Sequence, residues 1–68
     1  MKVLDVVATL DDLPKANLAK GQVGTIVDQL DGDTVLVEFA DVTGVAYALE
    51  PVPVRKLMEL HHTPAMAA

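Results

Sequence analysis

The sequence predicts an all-β fold, a small closed barrel of about five short strands. Its 68 residues suffice for one domain, near the lower size limit for a chain that folds alone. Half of them are hydrophobic, and Val and Ile favour strands because their branched Cβ atoms suit a pleated surface. Two turn signals, Asp31-Gly32-Asp33 and residues 41–44, separate runs with a two-residue hydrophobic period. These observations together predict short antiparallel strands joined by hairpins.

The first half of the chain is predicted to hold two strands and a long loop between them. Residues 6–10 form the first apolar run and end at two acidic residues. Residues 11–21 lack a consistent period, which predicts a loop, and the alternative is a short helix over residues 13–20. Residues 22–30 form the second strand, in which Gly24 indicates a bend or a close approach of two backbones.

The third and fourth strands are predicted mainly from the alternation of large apolar residues with small or polar ones. Residues 34–40 place Val35, Val37 and Phe39 on one face, and residues 45–49 alternate in the same way. The Asp31-Gly32-Asp33 signal before the third strand predicts a tight hairpin, because Gly accepts the positive φ that such a turn requires.

The end of the chain is predicted to close the barrel. Pro51 and Pro53 stop the fourth strand or confine it to a sheet edge, because proline donates no backbone hydrogen bond. Residues 54–57 fit a single turn of 3-10 helix, and residues 58–60 fit a last short strand. The prediction is therefore one barrel over residues 1–60 and a loosely held tail over residues 61–68.

The charge balance argues against nucleic acid as a partner. Ten acidic residues oppose five basic ones, for a net charge of −5. Nucleic-acid binding depends on Lys and Arg that neutralise phosphates, and the five available bases are scattered among acids. No apolar run approaches the roughly 20 residues that span a bilayer, and the N-terminus does not follow the secretory pattern. A cytoplasmic protein without membrane contact is expected.

The side-chain chemistry predicts neither catalysis nor a bound cofactor. The chain has no Cys and no Ser, and so small a barrel lacks the deep cleft that substrates require. His61 and His62 beside Glu59 are possible metal ligands, but adjacent residues on an extended chain point in opposite directions. Asp31 and Asp33 supply fewer oxygen ligands than a calcium loop needs. We expect no metal site, no cofactor and no small-molecule substrate.

Several segments together resemble a known family. Residues 20–27 (KGQVGTIV) match the start of many SH3-like barrels, in which a basic-Gly-x-x-Gly pattern turns a loop into a strand that bends. Read with residues 4–7, 11–14, 35–39 and 47–49, the chain is similar to a family of short stand-alone bacterial proteins catalogued as a domain of unknown function. The resemblance covers residues 4–60. It implies an SH3-like barrel and supplies no catalytic residue.

A weaker likeness runs to nucleic-acid-associated barrels of the KOW and Tudor kinds. This chain departs from them in its few basic residues and in having only Phe39 and Tyr47 as aromatic residues. The same scarcity of aromatic residues excludes the platform with which SH3 domains hold proline-rich peptides.

An excess of apolar residues is the main functional signal in the sequence. Leu36 lies on the face opposite to the Val35 face, and Val42, Val52, Val54 and Met58 fall near turns or edges. One small core cannot bury all of them, and exposed apolar patches mark association surfaces. The sequence therefore predicts a small non-catalytic protein–protein interaction module, which either associates with itself or serves as an accessory subunit of a larger bacterial protein.

The acidic loops are expected to steer a basic partner toward this surface. The candidate interaction residues are Asp11, Asp12, Lys20, Asp31, Asp33, Leu36 and Tyr47. The alternative is a nucleic-acid- or ribosome-associated barrel, which would require the scattered bases Lys15, Lys20, Arg55 and Lys56 to converge on one face.

Overall fold

The computed structural model of the chain describes residues 1–40 and 46–60, apart from the side chains of residues 46 and 47. Its regular elements are five strands and two single turns of 3-10 helix. In chain order they are β1 (Val6–Thr9), η1 (Pro14–Ala16), β2 (Val23–Gln29), β3 (Thr34–Ala40), β4 (Ala46–Pro53), η2 (Val54–Lys56) and β5 (Leu57–Glu59). The predicted all-β class, the five strands and the 3-10 turn before the last strand are confirmed.

The strands form a single antiparallel sheet in the order β4-β3-β2-β1-β5. The sheet must curve, because one buried cluster receives side chains from all five strands, and the first loop adds Leu18 to it. A bulge between Ile26 and Asp28 shifts the β2–β3 register by one residue and bends β2. The cluster consists of Val7, Leu18, Ile26, Val35, Val37, Phe39, Val52 and Leu57.

The inner face of β3 is the centre of this core. Val35, Val37 and Phe39 are fully buried, as the alternation predicts. Val52 is buried with them because β4 continues to Pro53 and pairs Val52 with Val35. The expectation that Val52 belongs to the apolar excess is therefore wrong. Both prolines lie in β4, with Pro53 as its last residue, and β4 is an edge strand, so the predicted alternative of an edge strand is confirmed.

The long first loop is ordered by backbone bonds and one buried hydroxyl. Leu13 and Leu18 exchange backbone hydrogen bonds of 2.8 and 3.1 Å. The Thr9 hydroxyl donates to the Ala19 carbonyl (2.8 Å) and accepts from the Gln22 N–H (3.0 Å). Helical structure in this loop is limited to the three residues of η1, so the loop prediction is confirmed and the alternative of a helix over residues 13–20 is wrong.

The β2–β3 hairpin forms where it was predicted, but its turn is different. Four residues connect the strands, and the Leu30 N–H donates to the Thr34 carbonyl (3.0 Å). The Asp31 carboxylate accepts the Asp33 N–H (2.8 Å), which holds the loop in place of a positive-φ glycine. Gly32 does not adopt a positive φ, so the expected reason for its presence is wrong. The second predicted turn, at residues 41–44, lies outside the described residues, as do Val42 and residues 61–68.

Candidate functional site

Three of the predicted interaction residues lie together in the first loop. Asp11 and Asp12 follow β1, and Lys20 precedes β2. The Lys20 backbone N–H donates to the Asp12 carboxylate at 2.8 Å, so Asp12 closes the loop across its base. All three side chains are exposed.

The other four predicted residues are distributed over the sheet. Asp31 and Asp33 lie in the hairpin beyond the opposite end of β2 from Lys20. Leu36 is half-buried on the outer face of β3, between Asp28 and Pro51 on the adjacent strands. Tyr47 belongs to β4, and its side chain lies outside the described residues. The acidic residues therefore fall into two groups at the two ends of β2.

A continuous apolar surface lies on the outer face of β1, β2 and β5. Val7 and Thr9 of β1 point into the core, so Val6 and Ala8 point outward. The register places Ala8 directly between Val23 of β2 and Met58 of β5. The residues that form this surface, here called the outer apolar patch, are Val6, Ala8, Leu10, Val23, Met58 and Leu60.

Two residues of the patch, Leu10 and Leu60, lie just beyond the ends of β1 and β5 and continue the backbone hydrogen bonding between these strands. The Leu60 N–H donates to the Val6 carbonyl, and the Leu10 N–H donates to the Lys56 carbonyl, both at 2.8 Å. Leu60 therefore sits beside Val6, and Leu10 continues the outward side of β1.

The patch is exposed except at its centre. Val23 and Met58 are 47% and 49% exposed, and Val6 and Leu10 are each 40% exposed. Ala8 is only 6% exposed, because its four larger neighbours rise above its single Cβ. Because Ala8 carries only a methyl group between the larger Val23 and Met58, we expect the patch to have a shallow depression over Ala8.

The charged strand residues on this face are both acidic. Thr25 lies beside Val6, and Glu38 lies beside Thr25 on β3. Asp28 shares the outer side of the sheet through its pairing with Leu36. Both carboxylates are exposed: Glu38 lies on the β3 side of the patch, and Asp28 lies farther along β2, beyond the bulge.

The basic residues do not form a face of their own. Lys15 and Lys56 line a groove of about 440 Å³ between the first loop and the end of β4, but Asp12 and Glu50 line it with them. Arg55 lies in a separate depression, beside Asp31. Within the described ranges, no three possible metal ligands come together. The described helical segments, at three residues each, are too short to cross a bilayer.

Sequence reasoning named Met58 as part of the apolar excess but missed the other five residues of the patch, namely Val6, Ala8, Leu10, Val23 and Leu60. The signal for Val6 was present, since it alternates with the buried Val7. Alternation alone could not say which side of β1 faces the core, because both sides are apolar. The contact of Ala8 with β2 and β5 depends on register, which the sequence does not display.

Comparison with known proteins supports the family resemblance. No curated protein and no solved structure matches the chain. One family model, described as a domain of unknown function (DUF4926), matches residues 3–59. That segment contains all five strands and every residue of the outer apolar patch except Leu60. The chain belongs to the DUF4926 family.

Proposed function

We propose that this protein is a small non-catalytic protein–protein interaction module that binds its partner through the outer apolar patch. The observation that carries the proposal is the exposure of Val6, Leu10, Val23 and Met58 on one continuous surface. Apolar surface that stays in water contributes no hydrophobic free energy to folding. Its burial against a partner would contribute that free energy to binding.

The architecture supports this role. The strand order, the long first loop and the 3-10 turn before β5 are those expected of an SH3-like barrel, which we take as the fold. Such barrels serve as compact scaffolds whose surfaces carry the function. The proposed setting is the bacterial cytoplasm, with which the cysteine-free composition is compatible.

The surface favours this function over nucleic-acid binding. A nucleic-acid barrel requires a contiguous basic face. Here Lys15 and Lys56 share their groove with two carboxylates, while the continuous surface is apolar and has the exposed Glu38 on its β3 side. The proposed partner is therefore a protein, either a second copy of this chain or a larger chain that it accompanies.

Site-directed photo-crosslinking in the cells that make the protein tests the proposal. A crosslinker at Met58 is expected to join the protein to a defined second chain, because that side chain is half exposed on the β5 side of the patch, next to Ala8. The matched control is a crosslinker at Asp33, which is exposed but lies in the β2–β3 hairpin.

Light scattering on the purified complex then gives its stoichiometry. A protein product at Met58 that resists nuclease supports the module, whether the second chain is the same or different. Equal products at Met58 and Asp33, or a product that nuclease removes, would contradict it.

A further inference from the structure

We infer that the outer apolar patch recognises a basic amphipathic segment of a partner protein, with a bulky apolar side chain seated over Ala8 and Lys or Arg side chains against Glu38 and Asp28. This inference rests on the proposed function and deepens it by naming the chemistry of the partner.

The depression at Ala8 defines the apolar part of the recognition. Four larger side chains surround it, Val23 and Met58 across the strands and Val6 and Leu10 along β1. A single protruding apolar side chain of a partner would contact all four at once. Contacts of this kind, in which one anchor fills a dry depression, dominate binding energy at interfaces.

The charges on the face define the polar part. Glu38 lies two strands away from Val6, which corresponds to roughly 10 Å. A helix with its side chains is about 10–12 Å wide, so a helix laid over Ala8 would bring its flanking residues close to that carboxylate. Basic flanking residues would be attracted by Glu38, by Asp28 and by the net charge of −5.

A short segment fits the surface better than a second copy of the chain. A stable interface between folded proteins engages roughly 20–30 residues on each side, whereas the patch has six. A second copy would also bring the same carboxylates and another net charge of −5 to the interface, and like charges oppose association.

The test uses the full chain labelled with ¹⁵N and two synthetic amphipathic peptides of about 16 residues, long enough for partial helix formation. Both peptides carry the same leucine face, and their polar faces carry either Lys or Glu. The Lys peptide is expected to shift the amide signals of Val6, Ala8, Val23 and Met58, and to bind at least about tenfold more tightly than the Glu peptide. Its affinity should fall as salt is raised.

Substitution of Ala8 distinguishes specific binding at the depression from nonspecific hydrophobic binding to the patch. Ala8→Leu fills the depression while it makes the face more apolar, so we expect binding of the Lys peptide to weaken by about tenfold. Leu30→Phe also enlarges an apolar side chain, but at an exposed position in the β2–β3 hairpin, and it should leave binding unchanged. Amide spectra of both variants check that the fold is preserved.

A charge variant tests the proposed contact between Glu38 and the basic residues of the partner, independently of Ala8. Glu38→Gln removes an exposed carboxylate from the face and is expected to weaken Lys-peptide binding by roughly threefold to tenfold. Glu50→Gln makes the same charge change in the groove that Lys15 and Lys56 line, and should change the affinity by less than about twofold.

Three results would overturn the inference: equal affinity for the two peptides, tighter binding by Ala8→Leu, or signal shifts confined to another surface. Dimerisation through Met58 would also overturn it, although the proposed function would then stand. If the peptides do not shift the amide signals of the patch and crosslinking at Met58 yields no second chain, this inference and the proposed function both fail.

Discussion

Gly24 illustrates how a single residue type sets the packing of two strands. It is buried in β2 opposite Phe39 of β3. A Cβ at this position would lie 2.7 Å from Cγ1 of Val37, 2.8 Å from Cδ1 of Phe39 and 2.9 Å from the Glu38 carbonyl oxygen. Real Cβ atoms do not approach other atoms this closely, so only glycine lets β2 lie against the core. The close backbone approach predicted at Gly24 is confirmed.

We expect Gly24→Ala to lower the free energy of unfolding by about 2–3 kcal/mol, the cost of overpacking a filled core. Urea titration followed by circular dichroism measures this as a lower transition midpoint. Gly32→Ala is the matched control, because a Cβ there meets no atom within 4 Å and Gly32 has no positive φ. It should change stability by less than about 0.5 kcal/mol. Equal effects of the two substitutions would refute the steric argument.

At the scale of elements, the first loop behaves as part of the core. It contributes Leu18, which is 3% exposed, although the loop contains no strand. Asn17 precedes it with a φ of 57°, a conformation that Asn tolerates better than most residues and that turns the chain back after η1. The hydroxyl of Thr9 then ties the end of the loop to β1. The loop thus completes the open side of the sheet.

Leu18→Ala is accordingly expected to cost about 2–4 kcal/mol, because it removes buried methyl groups and leaves a cavity under the loop. Leu49→Ala provides the comparison, since Leu49 is 54% exposed on β4 and should cost less than about 1 kcal/mol. Thermal unfolding of both variants measures the difference. Similar midpoints for the two would show that the loop does not contribute to the core.

At the scale of the whole molecule, charge opposes folding. The net charge is −5, and between described residues one ion pair is present, from the N-terminal amine of Met1 to Glu59 at 4.0 Å. An excess of one sign destabilises a compact state by self-repulsion. A small domain has only about 3–10 kcal/mol of stability, so this repulsion is a measurable part of the balance.

Raising NaCl should therefore stabilise the protein. Between about 0.01 M and 0.15 M the Debye length falls from roughly 30 to 8 Å, which screens repulsion across most of the molecule. We expect the thermal midpoint to rise by about 3 °C, equivalent to roughly 0.5 kcal/mol for a domain of this size. The double variant Asp11→Asn, Asp33→Asn carries two fewer negative charges and should respond less. A midpoint that falls with salt would contradict this account.

Much of the fold could be predicted from local patterns, above all from the alternation of apolar and polar residues. The bounds of β3 were predicted to the residue, because its alternation is unbroken and turn signals stand on both sides of it in the sequence. The other strand ends were predicted within one or two residues, apart from β4. There Pro51 and Pro53 indicated either the end of the strand or an edge position, and the edge position is correct, because an edge strand tolerates proline on its unpaired side.

The sequence by itself determined the all-β class, the approximate number of strands, the core side of β3, a bend or close backbone approach at Gly24 and the acidic character of the molecule. These features follow from the local hydrophobic period, from side-chain shape and from charge, none of which depends on how the strands pair. Only the tertiary structure decided that Val52 is buried and that Val6, Ala8, Val23 and Met58 share one surface. The reason is register: β1 is apolar on both sides, and its pairing with β2 and β5 fixes which side is left to solvent.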